Sequence, residues 1–160
     1  MSILVAIEKC TRKNRNNMSS KRKELFDYPA KILVAYGEAI AGNIKIHKWL
    51  LENGYPELAA LAAALQADKD AFAWLMTHGY NHFAAYCNAI DGDENAKLWL
   101  KKHNFSFLII MVEAVELNPA ARAWFQHNNL PIFSVINHKV YKLKEDQHRD
   151  YNNVYKIHFK

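Results

Sequence analysis

Four tryptophans stand at positions 49, 74, 99 and 124, each 25 residues from the next, and they are all the tryptophans in the chain. A fixed period of this length marks a chain built from one repeated supersecondary unit. Other columns keep the same step. Asn43, Asp68, Asp93 and Asn118 precede the tryptophans, and Leu50, Leu75, Leu100 and Phe125 follow them directly. Then come Gly54, Gly79, Asn104 and Asn129; Tyr55, Tyr80, Phe105 and Leu130; and Leu58, Phe83, Leu108 and Phe133.

Each column has a physical reason. Asn or Asp ahead of a helical run caps it by accepting an orphan backbone N–H. Pro119, directly after Asn118, suits a first helical position where no N–H is needed. Ile or Ala, then Trp and Leu, fall on one stripe at helical spacing. Gly or Asn next supplies the left-handed residue that ends the helix. A second helix then runs "PELAALAAALQA", "NHFAAYCNAIDG" or "SFLIIMVEAVEL" and stops before the next cap. Helices of about ten residues are marginal alone in water, so neighbouring units must hold one another. Each Trp is expected to bridge its own pair of helices to the next.

The spacing therefore predicts an all-α fold of about five stacked antiparallel helical hairpins over residues 21–139. Residues 1–20 read as a basic leader, and Met18, just ahead of the patterned region, as a candidate start. Residues 21–42 keep the second-helix columns, but Glu24 stands where Trp is due, as in a capping first unit. Residues 140–160 form a basic tail or cap. Val140, Tyr141 and Leu143, then Val154, Tyr155, Ile157 and Phe159, are β-prone segments around a charged middle. A short β-hairpin, an extended cap over the last unit and a disordered basic arm all fit. The run Phe107, Ile109, Ile110, Met111 and Val112 is greasier than its equivalents and needs a cover.

Charge divides unevenly. The 160 residues carry a net +5, but residues 25–118 hold seven Lys/Arg against eleven acids, and the basic excess sits at both ends. A surface tracking phosphates along the repeats needs the opposite arrangement. No apolar run approaches the roughly 20 residues that a membrane-spanning helix requires. Two cysteines, Cys10 and Cys87, build neither a disulfide framework nor a metal site, which fits a reducing, cytoplasmic setting.

Chemistry finds no foothold. His78 and His103 share a column at a helix end, where imidazole can engage the last carbonyls. His78 and His82 are separated by the turn at Gly79, so they are no helical metal pair. Cys87 lies in an apolar helix as a small hydrophobe. Asp91, Asp93 and Glu94 add charge near a helix start, without the ligand series of a calcium loop. There is no phosphate loop or dinucleotide fingerprint. No cofactor, metal or catalytic residue is expected.

The columns resemble α-solenoid helical-hairpin repeats as a class, of a short, bacterial style. The run "WLLENG" (49–54) looks like the end of an ankyrin helix, although ankyrin units are longer and carry a TPLH-type turn absent here. The resemblance implies a protein-interaction module with a protein or peptide partner. Contact positions are then those that vary between units. On first helices they are Lys48, Glu52, Met76, Lys101, Lys102 and Gln126; on second helices, Glu57, His82, Phe107 and Ile132. The alternative is binding of nucleic acid or an acidic surface through the basic termini, where "VYKIHFK" interleaves aromatic and basic side chains.

Overall fold

The computed structural model describes residues 23–157. The leader, Met18, Cys10 and Phe159 lie outside them. Among the described residues the chain is all-helical, with no strand. A short 3₁₀ turn at Leu25–Asp27 precedes nine helices. They are α1 (Ala30–Ile40), α2 (Ile44–Glu52), α3 (Pro56–Leu65), α4 (Lys69–Thr77), α5 (Asn81–Ile90), α6 (Glu94–Lys102), α7 (Ser106–Val115), α8 (Pro119–His127) and α9 (Pro131–Ile157).

The local chemistry recurs with the 25-residue step. The Asn43 side chain accepts from the Ile46 N–H, and Asp68, Asp93 and Asn118 each accept from two N–H groups of the first turn. At the other end, Asn53, His78, His103 and Asn128 each donate to the carbonyl of the Trp four residues earlier, at 2.8–2.9 Å. The two imidazoles donate through Nδ1, because a carbonyl can only accept. Gly54, Gly79, Asn104 and Asn129 then take positive φ and end the helix.

Two layers follow from burial. The even-numbered helices bury a narrow stripe, such as Leu50 and Leu51 in α2 or Ala96 and Leu100 in α6. The odd-numbered helices are buried far more widely, and α3 buries every residue. Each even helix packs on the odd helix before it and the one after it. The odd helices also pack on one another, α1 on α3, α3 on α5, α5 on α7 and α7 on α9. An open row would leave α1 and α9 apart. Here they touch, with Gly37 facing Ile136 and Lys139, so contacts among the odd helices form a closed circuit.

The tail differs from the β-hairpin, extended and disordered readings. Residues 131–157 form one continuous helix. The reason is visible in the sequence: Phe133, Ile136, Asn137 and Val140 recur at three- and four-residue steps and are all buried, while Tyr141 and Leu143 pack beside them. Residues 140–157 thus continue the last unit's second helix.

The first unit differs too. Residues 23–28 make no first helix. The Asp27 side chain accepts from the Glu24 N–H at 2.9 Å, closing a single turn, and Tyr28 is extended ahead of Pro29. Proline disfavours the helical region for the residue before it.

Candidate peptide-binding rim

The second residue of each odd helix from α3 onward is Glu57, His82, Phe107 or Ile132, one column of the 25-residue repeat. All four are positions where the sequence places partner contacts. Glu57, His82 and Phe107 are buried, and Ile132 is half-buried. What covers the first three is the chain's own segment Lys23–Tyr28. The Tyr28 hydroxyl donates to Glu57 Oε1 at 2.6 Å. His82 Nε2 donates to the Lys23 carbonyl at 3.0 Å. Phe26 meets Phe107 edge to face, with ring centroids 5.1 Å apart. One six-residue segment therefore reaches three helix N-termini, which places those termini together along one rim.

The segment is anchored between these contacts. Leu25 is fully buried, and burying a leucine contributes about 1.5–3 kcal/mol. The Lys23 ammonium lies 4.3 Å from the centre of the Tyr28 ring, and Tyr28 meets Tyr55 edge-on. Phe26 itself is half exposed. The rim thus offers an acceptor, a donor and an aromatic face at successive helix ends. That set meets the Tyr28 phenol, the Lys23 carbonyl and the Phe26 ring of a segment that closes one 3₁₀ turn.

Electrostatics follow from burial. Desolvation pushes the Glu57 carboxyl above its usual range, opposed by the Tyr28 hydrogen bond, Glu57's own backbone N–H and Lys23. Tyr28 is pushed far up, first by burial and then by the neighbouring Glu57 charge. Tyr80 is pushed up to about 12 by burial and Glu57. Tyr28 is therefore a neutral donor at neutral pH.

The tryptophans support this rim from behind. Trp74 stacks on His78 and Tyr80, with centroids at 4.1 and 5.8 Å, and Trp99 stacks on His103 and Phe105 at 4.1 and 5.9 Å. Phe105 in turn stacks on His82 at 4.9 Å. Trp74 is buried and the other three are half-buried. The rings of Trp74 and Trp99 thus lie over their own turns. Trp124 reaches back to Phe107 at 6.2 Å, across the preceding turn. The greasy α7 is covered by α8, α9 and Phe26.

The remaining predicted contact residues lie elsewhere. Lys48, Glu52, Met76, Lys101, Lys102 and Gln126 are exposed on the even-numbered helices. Lys48 and Glu52 pair with each other along α2 at 3.6 Å. Sequence reasoning missed the segment itself. Its signal was the apolar pattern of Leu25, Phe26 and Tyr28, ahead of a proline that forbids a helix.

Among the described tail side chains, three of the four cations have acidic partners, and Lys142 is exposed. Lys139 pairs with Glu38, Lys144 with Asp91 at 2.7 Å, and Arg149 with Asp146. Among the described residues no group of three His, Cys, Asp or Glu side chains could hold a metal ion, and no helix is long and apolar enough to cross a membrane. Comparison with protein-family models, curated proteins and solved structures gave no match.

Proposed function

We propose that the chain is a non-enzymatic protein-interaction module, a stack of helical-hairpin repeats that receives a short peptide segment of a partner along the rim of its odd-helix N-termini. The observation that carries this reading is the seating of Lys23–Tyr28 on Glu57, His82 and Phe107. Repeat arrays create binding surfaces by presenting one position from each unit along a line, and this column does so with three different chemistries. The segment acts as an internal occupant that a partner peptide displaces. Phe26 is its exposed edge, and Leu25 is its anchor. A cytoplasmic setting belongs to the same reading.

Retention from a lysate treated with nuclease tests it, using the full chain and a Leu25→Ala variant. Discrete proteins retained more strongly by the variant, whose internal segment is loosened, support the reading. Retention that vanishes with nuclease would replace it by nucleic-acid binding through the basic termini.

A further inference from the structure

The closed circuit of odd-numbered helices brings one layer of side chains to its centre. Residues 36, 61, 86, 111 and 136 occupy the same repeat position on α1, α3, α5, α7 and α9, and all five are fully buried. Three are apolar, Leu61, Met111 and Ile136. The other two are tyrosines, Tyr36 on α1 and Tyr86 on α5. The neighbouring position, residues 37, 62, 87, 112 and 137, adds Cys87 on α5 and Asn137 on α9, both buried.

Among the described residues, no atom hydrogen-bonds the hydroxyl of Tyr36, the hydroxyl of Tyr86, or either side-chain polar atom of Asn137. Buried polar groups are almost always paired, because each orphan carries the full cost of leaving water. Four such atoms stand at two adjacent repeat positions of the core. Phenylalanine or leucine would fill the same space without that cost.

We propose that Tyr36, Tyr86 and Asn137 line an internal site that holds a small neutral hydrogen-bonding molecule, either ordered water or a polar metabolite. The three side chains supply hydroxyl donors, an amide donor and an amide acceptor, the pairing capacity that such a guest needs. Charge is disfavoured there. Burial, with the neighbouring Tyr86 and Cys87, holds the Tyr36 phenol protonated, and burial does the same for Tyr86 and for the Cys87 thiol. The nearby Lys144 and Asp91 already neutralise each other at 2.7 Å. An ion would enter with no counter-charge to meet it.

The test is Tyr36→Phe, Tyr86→Phe and their combination in the full chain, with three readouts. These are the thermal midpoint, long-lived internal water by oxygen-17 relaxation dispersion, and bound mass by native mass spectrometry before and after refolding into fresh buffer. Among the described residues the hydroxyls have no hydrogen-bond partner to lose, so a costly removal points to a guest. A midpoint fall of about 2–4 °C for each lost hydrogen bond is expected. With it, a long-lived water present in the wild type and absent from the double variant identifies water. A small bound mass lost on refolding, and lost from the double variant, identifies a metabolite. A midpoint that stays level or rises overturns the site, because the hydroxyls then stand in a dry core. A fall with neither water nor bound mass overturns it as well.

Discussion

The Tyr28 hydroxyl donates to the Glu57 carboxylate at 2.6 Å, tying the segment ahead of α1 to the second residue of α3. A buried carboxylate needs such a donor, since its charge has left water. Tyr28→Phe removes the donor and leaves the acid in place. It is expected to cost about 1.5–3 kcal/mol at neutral pH, as hydrogen bonds to charged groups do. Urea unfolding of the two proteins checks this.

Glu57 also gives stability an unusual pH dependence. Its folded pKa lies above the unfolded value of about 4.5, with burial the leading cause. The folded state therefore holds the proton more tightly. Glu57's contribution to stability is fully present below about 4.5 and is lost as pH rises through the raised folded value. Glu57→Gln keeps an acceptor for Tyr28 and removes the titration. The variant is expected to gain most over wild type at neutral pH, with the gap narrowing towards pH 4.5. A gap constant across that window would show that Glu57 is not buried as a titrating acid.

Trp74 is the most enclosed member of the tryptophan column, held between His78 and Tyr80. Trp74→Ala is expected to cost about 3–5 kcal/mol, the usual penalty for truncating a large buried aromatic. A melting midpoint within a few degrees of wild type would contradict its packed position.

Ala67 and Gly92 close consecutive odd helices in the same left-handed conformation, at φ +70° and +94°. An L side chain there costs roughly 1–2 kcal/mol of backbone strain. Ala67→Gly is therefore expected to stabilise by about 0.5–1 kcal/mol, after the extra chain entropy of glycine is counted. Gly92→Ala is expected to destabilise by about 1 kcal/mol from backbone strain alone, because nothing lies within 4 Å of the added methyl. Opposite signs in parallel denaturation curves are the check.

Lys144 on α9 donates to the Leu65 carbonyl at 2.8 Å and pairs with Asp91, so the last helix caps the ends of α3 and α5. Lys144→Met is expected to cost about 1 kcal/mol, since it strips the Leu65 carbonyl of a charged donor and leaves the exposed Asp91 carboxylate unpaired. Substituting the exposed His148 by Ala should stay within about 0.5 kcal/mol. Equal, negligible effects would mean that the tail does not dock.

What the sequence made legible was whatever repeats. The caps at Asn43, Asp68, Asp93 and Asn118, the terminators after each Trp, and the His78 and His103 contacts all stand where their columns place them. What it hid lies where the repeat ends. Val140, Tyr141 and Leu143 fit β-alternation over a short stretch, and only their tie to Ile136 and Phe133 reveals helical spacing. The closed circuit was invisible because contact between α1 and α9 joins residues about a hundred positions apart. Glu57, His82 and Phe107 were legible as variable positions one 25-residue step apart. Their occupancy by Lys23–Tyr28 was not, because no period relates the segment to the rim.

The most direct test of the rim is a ¹H–¹⁵N titration of the full-length Leu25→Ala variant with a synthetic peptide spanning residues 21–30 of the wild-type sequence. The account predicts saturable shifts at Glu57, His82 and Phe107 and their neighbours, with a melting midpoint that rises as peptide is added. Unmoved signals at those three positions at millimolar peptide, or shifts scattered over the even-numbered helices, would contradict it.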